Sequence, residues 1–516
     1  MTYREGVFVL KRKLSGTDRL SSSDANLEQA LDVPVRLEAL CQSLDCMADA
    51  EVQECPLPNG RSLTIVYVIT LIDSERLNEA VLEPLSTIGS EREDTNGQEP
   101  GSWVRSVSVT LSPFTLQSEA NGRLMQGSVL IYDGETGIWR SCKLENPLGR
   151  AIESSETETI LLGPKDSFSE QIDENMTLIR RRLPVMKLKA EKFLVGTLSR
   201  TTVVLMYLEG ITNPDLVNVA KAKLSKIDYD MFLDSSHVAA FMEDHNASLF
   251  PQFMQSDRPD SCVNSLNMGK LVILVDNTPF ALIAPITFFN LFQSPEDYIN
   301  RWIVASSLRC LRYFSYFLSF TLIPLYVALC TYHYQMIPLQ ILYVLLESRS
   351  RLPLSPFWEA MAMLMTLEII KEASLRMPSK TSQTLGVIGG IVIGQASVEA
   401  GFASKVLIVL AGISAIASFL SPNYVLSKSS LIVHMTFLML ASWLGVPGMV
   451  LGMVALLAHL NGLTSLNRPY LAPVAPFLGK DWIDLFIRGP LKAMRQRPSY
   501  LLPLYKWRYS QRRKPS

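Results

Sequence analysis

Glu359, Glu368 and Glu372, with Thr366 among them, lie in an otherwise apolar stretch that begins at Phe357. A carboxylate at bilayer depth is costly, so it faces a bundle interior or a water-filled path. On a helix through 357–376, Glu368 and Glu372 stand one turn apart and share a face with Met361 and Met365. Glu359 falls roughly opposite, with Thr366. Several copies of this helix around an axis would turn one carboxylate face into an acidic ring that favours cations. The plainer alternative puts Glu359 and Glu372 at the interfaces and pairs Glu368 with Lys371 or another cation.

Gly386, Gly390 and Gly394 repeat at the spacing that lets helix backbones approach closely in lipid, within one chain or between chains. Arg180-Arg181-Arg182, followed by Lys187, Lys189 and Lys192, reads as a solvated face, an interface with an acidic neighbour, or a contact to lipid phosphates. The five histidines are scattered without metal-ligand spacing, and His434 in its apolar run reads as a packing residue. The sequence contains no GxxxxGK[ST], HExxH or GxSxG, so no enzyme, metal or cofactor is expected. Seven cysteines without a CxxC pair read as reduced structural thiols.

The elements that must position these residues divide at about Arg312. Before it, strands alternate with helices, which implies a layered α/β domain. Ser62–Thr70 and Thr201–Leu208 are rich in β-branched and aromatic residues, and Lys270–Val275 closes the series as a strand. Asp73 is placed to cap a helix running to about Glu83, before Pro84. Ser128–Tyr132, Asp133-Gly134 and Gly137–Ser141 predict a hairpin. From Asp166, apolar positions recur at helical spacing through Leu183, and Thr212-Asn213-Pro214 opens another helix. The polar stretch Ser90–Ser102 reads as a loop that could part this half into subdomains. The expected ranges are 1–160 and 161–300 for two α/β subdomains, 301–465 for an all-α membrane domain, and 466–516 for a basic tail.

After Arg312 come Tyr313–Tyr332, twenty residues without a charge, and then four more apolar stretches. Twenty apolar residues suffice to cross a bilayer. Leu431–Leu460 is charge-free but too long for one untilted span, and Gly445-Val446-Pro447-Gly448 at its centre predicts a helical hairpin. No apolar h-region opens the chain, so the first half is expected in the cytoplasm. Six crossings return the tail to the same side and leave Lys371, Arg376, Lys380 and Lys428 inside. Arg349 and Arg351 then fall outside beside Glu347, against the positive-inside rule; four crossings with re-entrant pieces keep the same parity. Residues 1–312 carry 30 basic against 42 acidic groups, net −12, while 480–516 carry ten against two, net +8. An acidic body with a basic tail argues against nucleic acid and fits a tail beside an anionic leaflet.

From about residue 125 onward the order of segments resembles the GerA family, the A subunits of spore germinant receptors. It begins in GSVLIYDG and strengthens through ETETILLGPKDSFSEQIDENMTLIRRRL, FLVGTLSRTTVVLMYLEGITNPDLV, LVDNTPFALIAP and FFNLFQSPEDY. It continues in SLRCLRYFSYFLSF, HYQMIPL, LEIIKEASLRMP, QTLGVIGGIVIGQASVEAGF, RPYLAPVAPF and IRGPLKAMRQRPS. The resemblance implies a cytoplasmic N-terminal domain of two α/β subdomains and a multi-pass domain in the spore inner membrane. It further implies a homo-oligomeric, pentameric ring around a cation-conducting pore, a transporter-like B subunit that senses nutrient, and a lipoprotein C subunit. One departure is Leu364, where the family often has a second glutamate. The stage V sporulation protein AF type shares this architecture, although the tail favours the germinant-receptor branch.

Three functions stand on these features: a channel-forming receptor subunit, a non-conducting scaffold or signalling subunit, and a proton-coupled transporter. The last predicts an inverted repeat, and 313–382 and 384–462 show no convincing symmetry.

Overall fold

A computed structural model describes residues 33–57, 62–87, 102–147, 158, 162–350, 352–376, 394–420 and 422–508. The α/β domain holds two five-stranded antiparallel sheets. The first contains β1 (Ala50–Pro56), β2 (Ser62–Val68), β3 (Ser112–Phe114), β4 (Ser128–Asp133) and β5 (Trp139–Lys143), in the order β1-β2-β4-β5-β3. The second contains β6 (Leu188–Val195), β7 (Thr201–Leu208), β8 (Met254–Ser256), β9 (Leu271–Val275) and β10 (Ala281–Ala284), in the order β6-β7-β9-β10-β8. The two orders are the same, so one topology occurs twice in this half. Strands on both sides of Ser90–Ser102 belong to the first sheet, so that stretch joins elements within one unit rather than parting two.

Helices α1 (Leu37–Ser43), α2 (Ser74–Leu77), α3 (Glu83–Thr87) and α4 (Gln117–Met125) accompany the first sheet. The second is accompanied by α5 (Ile172–Arg182), α6 (Pro214–Ser225), α7 (Ser235–Met242) and α8 (Pro259–Met268). Asp73 accepts from the amides of Glu75 and Arg76, and Asn213 from that of Asp215, as their cap positions predict. The helix does not stop before Pro84. A π-helical turn over Asn78–Leu82 lets it resume, with Pro84 in the first turn of α3, where a missing amide costs nothing. The helix expected from Asp166 starts later, at Ile172, and Phe168 instead packs in the core against its apolar face.

The triple arginine serves neither solvent nor lipid. Arg180 is completely buried and donates to both oxygens of buried Asp49, at 2.5 and 2.6 Å. Thr70 adds a hydrogen bond to the same carboxylate. Arg181 donates to the Asn146 carbonyl, and Arg182 pairs with Asp166. Arg180 and Arg181 thus join the two sheet units, while Arg182 pairs within the second. All seven cysteines are free thiols.

The C-terminal half is helical: α9 (Glu296–Ile299), α10 (Trp302–Thr331), α11 (Leu339–Arg349), α12 (Pro356–Arg376), α13 (Gly394–Glu399), α14 (Lys405–Phe419), α15 (Tyr424–Leu444) and α16 (Val446–Gly462). Two of these, Trp302–Thr331 and Val425–Leu444 within α15, are long and apolar enough to cross a membrane. The hairpin expected in Leu431–Leu460 turns at Gly445, whose φ of +67° with ψ of −144° lies where an L side chain is strained. Gly448 then lets α16 pass directly over the Leu440 carbonyl of α15.

Residues 466–508 are a packed segment rather than a free tail. Leu504 donates its amide to the Ile211 carbonyl, Arg497 grips the Asn267 carbonyl at 2.7 Å, and Arg488 bonds the carbonyls of Asn300 and Tyr298. The segment thereby clamps the second sheet unit to the base of α10. An apolar core including Phe250, Ile286, Phe292, Phe320, Phe437 and Tyr470 fills the same junction.

Candidate functional site: the acidic helix and its polar cavity

α12 packs Ala360, Met363 and Leu364 against Ile323 and Val327 of α10 and Leu407 and Ala411 of α14. These contacts set which way its carboxylates face.

Glu359 is fully buried. Its Oε2 accepts from Arg349 Nη1 at 2.8 Å and its Oε1 accepts the Ser404 amide at 2.6 Å. Ser404 is the N-cap of α14, accepting from the Leu407 amide. The carboxylate thus sits at a helix N-terminus, where the positive end of the dipole favours it. Tyr326 completes the group, its hydroxyl 3.0 Å from Ser404 Oγ and accepting from Arg349 at 3.2 Å. Arg349, which sequence reasoning set apart as a topological exception, is the partner that makes this burial tolerable. Only the chain reversal between α11 and α12 reveals it.

Glu368 lies two and a half turns further along and takes different partners. It pairs with Lys371 at 2.8 Å, both being about a quarter exposed. It also lines a cavity of about 20 Å³ with Leu364, Ser319, Ser414, Ser430 and His434. That volume fits about one water molecule. His434 is buried, and its Nε2 finds no hydrogen-bond partner among the described residues. Ser414 donates to the Ser319 carbonyl, tying α14 to α10 across the cavity. The cavity therefore offers hydroxyls, a carboxylate, an ammonium and an imidazole to one small polar guest.

Glu372 is exposed and pairs with Arg376 at 2.7 Å. Thr366 is half-buried and donates to the Ala362 carbonyl of its own helix. Glu359 and Glu368 do not converge. The surface of α12 left uncovered by the described residues runs through Trp358, Met365, Ile369 and Glu372. Gly386 and Gly390 lie outside the described residues. Gly394 opens α13, and a Cβ there would meet Ile408 only at ordinary contact distance. His434 was legible as an apolar-run histidine, but nothing in the sequence places it beside Glu368.

With this geometry in view, residues 38–500 match the model of the Bacillus/Clostridium GerA spore germination protein family. The chain belongs to the GerA spore germination family. Among its relatives, spore germination protein GerQA of Bacillus cereus is 37% identical over 455 residues, covering 88% of this chain and 90% of that protein. Spore germination protein A1 of Bacillus subtilis (strain 168) is 36% identical over 442 residues, covering 84% and 89%. Spore germination protein GerLA of Bacillus cereus is 39% identical over 352 residues, covering 68% and 72%. A crystal structure of the N-terminal domain of the A subunit of the Bacillus megaterium spore germinant receptor GerK3 is similar at 24% identity and a TM-score of 0.38, covering 49% of this chain and 94% of that one. The chain itself has an α/β half followed by a helical half.

Proposed function

We propose that this GerA-family chain is the channel-forming A subunit of a nutrient germinant receptor, resident in the spore inner membrane. Copies assemble as a ring, pentameric by family resemblance, with a transporter-like B subunit and a lipoprotein C subunit. Nutrient bound by the B subunit opens a path for monovalent cations, and their release starts germination. The role is not enzymatic. The observation that carries the reading is family membership over residues 38–500, because it ties the chain to spore germination. Two features support it: an uncovered stripe on α12, and a water-sized polar cavity containing Glu368 beneath it. A ring of such helices would place carboxylates beside a hydrated path, which selects cations.

One observation favours the second reading, a non-conducting scaffold that relays B-subunit occupancy. Glu359, Glu368 and Glu372 each have an arginine or lysine partner within the chain, so none needs a permeating ion to balance it. The deciding experiment is conductance of the purified chain with its B partner in planar bilayers, with and without nutrient. Nutrient-dependent cation currents that weaken in Glu368→Gln support the channel. A correctly assembled complex that stays silent selects the scaffold.

A further inference from the structure

A second, larger cavity lies where the C-terminal segment meets the second sheet unit. Its volume is about 430 Å³, the size of a small-molecule site. Its charged lining consists of Lys480, Arg495 and Arg508 against Asp481 and Asp484.

The two acids are already engaged. Asp481 accepts the amide and hydroxyl of Ser499 at 2.7 and 3.0 Å. Asp484 accepts from Arg309 at 2.9 Å and from the Tyr298 hydroxyl at 2.9 Å. Arg309 also pairs with Asp297, which is shared with Arg312, so this inner cluster balances two acids with two arginines. Lys480, Arg495 and Arg508 then face only Asp481 among the charges that remain. Among the described residues Lys480 has no ion pair, the Arg495 side chain makes only a 3.4 Å hydrogen bond to the Lys492 carbonyl, and Arg508 Nε is buried without a partner. The excess is positive, and guanidinium forks match phosphate oxygens.

The position of the cavity narrows the source of that anion. Its wall at Ile483, Asp484 and Leu485 is tied to α10 by Arg309, which donates to the carbonyls of Asp484 and Leu485. The same strip continues to Arg488, whose amide bonds Ser306, while the Phe486 ring packs 5.1 Å from Tyr313. Tyr313 is where the charge-free stretch of α10 begins. If α10 crosses a bilayer, the wall of the cavity lies at headgroup depth. Trp482, Phe486, Ile487 and Leu491 are exposed along this strip, the mixture of aromatic and aliphatic side chains that an interface accepts.

We propose that this cavity receives the phosphate headgroup of an anionic membrane lipid. The lipid would thereby bridge the C-terminal clamp, the second sheet unit and the base of α10. The proposal rests on the membrane reading of the helical half.

The test uses the full chain in nanodiscs of phosphatidylcholine containing a minority of phosphatidylglycerol, with lipid retained through detergent extraction read by native mass spectrometry. Phosphatidylglycerol should be retained several-fold over its share, and Lys480→Gln with Arg495→Gln should cut that preference by about 25-fold at most, to near none, each cation contributing about fivefold. Both residues are exposed, so the variant should fold. Lys492→Gln removes one positive charge, as each single cavity substitution does, from an exposed residue that does not line the cavity, and should leave retention unchanged. Equal retention of both lipids, or equal loss in Lys492→Gln, overturns the proposal. Displacement of the lipid by millimolar inorganic phosphate also overturns it, making the ligand a soluble phosphate compound. A chain that fails to enter nanodiscs at all overturns instead the membrane reading beneath it.

Discussion

Asp49 in the sheet half and Glu359 in the helical half are both buried completely against an arginine, yet the two pairs hold different things together. Asp49 and Arg180 are 131 residues apart, interlock through two hydrogen bonds, and are closed off from solvent on both sides. They join one sheet unit to the other. Glu359 and Arg349 are ten residues apart, share a single hydrogen bond, and leave Arg349 partly exposed. They close one helical turn-back, and the second oxygen of Glu359 anchors the start of α14. A buried pair adds little over a well-packed apolar pair, but losing one partner leaves an uncompensated charge. The difference therefore lies in what each broken pair would release: an interface between two folded units, or the register of three neighbouring helices.

The comparison breaks first at Arg180. Arg180→Met strands Asp49 and should destabilise by about 3–5 kcal/mol, read as a fall in the denaturation midpoint of the detergent-solubilised chain. Arg180→Met with Asp49→Leu should recover most of that loss. Glu359→Gln keeps the shape but removes charge from the bond to the Ser404 amide, and should cost about 1.5–3 kcal/mol. Its loss should appear as faster amide exchange at the start of α14, with the sheets unaffected. Gly448→Ala tests the helical hairpin. A methyl group would press on the Leu440 carbonyl, so about 1–3 kcal/mol should be lost, visible as a lower melting temperature.

Lys270 gives a pH test where the sheet half meets the C-terminal segment. It is buried with its Nζ 2.9 Å from Asn290 Oδ1, and burial pushes its pKa down to about 7, against the pull of Asp484. The unfolded lysine titrates near 10.4. Between about pH 7 and pH 10 the unfolded chain binds the additional proton, so stability should rise with pH across that window. Lys270→Met should flatten the slope. The smallest stability effect belongs to Glu368→Gln, whose partly exposed pair is worth about 0–1 kcal/mol. If it instead destabilises as much as Glu359→Gln, the cavity beside it is a structural joint, and any fall in ion flux would say nothing about conduction.

Much of the framework was legible because it depends on local chemistry. The strands at Ser62–Val68 and Thr201–Leu208, the caps at Asp73 and Asn213, and the reversal at Gly445 follow from branching, side-chain acceptors and backbone freedom within a few residues. Local signals also erred where a neighbour intervened. Pro84 looked like a stop, but the π turn before it absorbed the missing amide. The run Arg180–Arg182 looked like a surface because three adjacent cations usually are one; Asp49, Asn146 and Asp166 took each inward.

The candidate site shows the same division. Sequence alone picked out α12, since glutamates in an apolar stretch are conspicuous in composition and spacing. It also set the order of the two halves and the family to which the chain belongs. It could not say that Glu359 belongs to Arg349 and Ser404, that Glu368 shares a cavity with His434, or that the basic segment 466–508 folds back onto the sheets. Periodicity fixes the angle of a side chain around its own helix, but not which helix lies there. That choice depends on contacts between residues tens to hundreds of positions apart, and only the packed chain decides it.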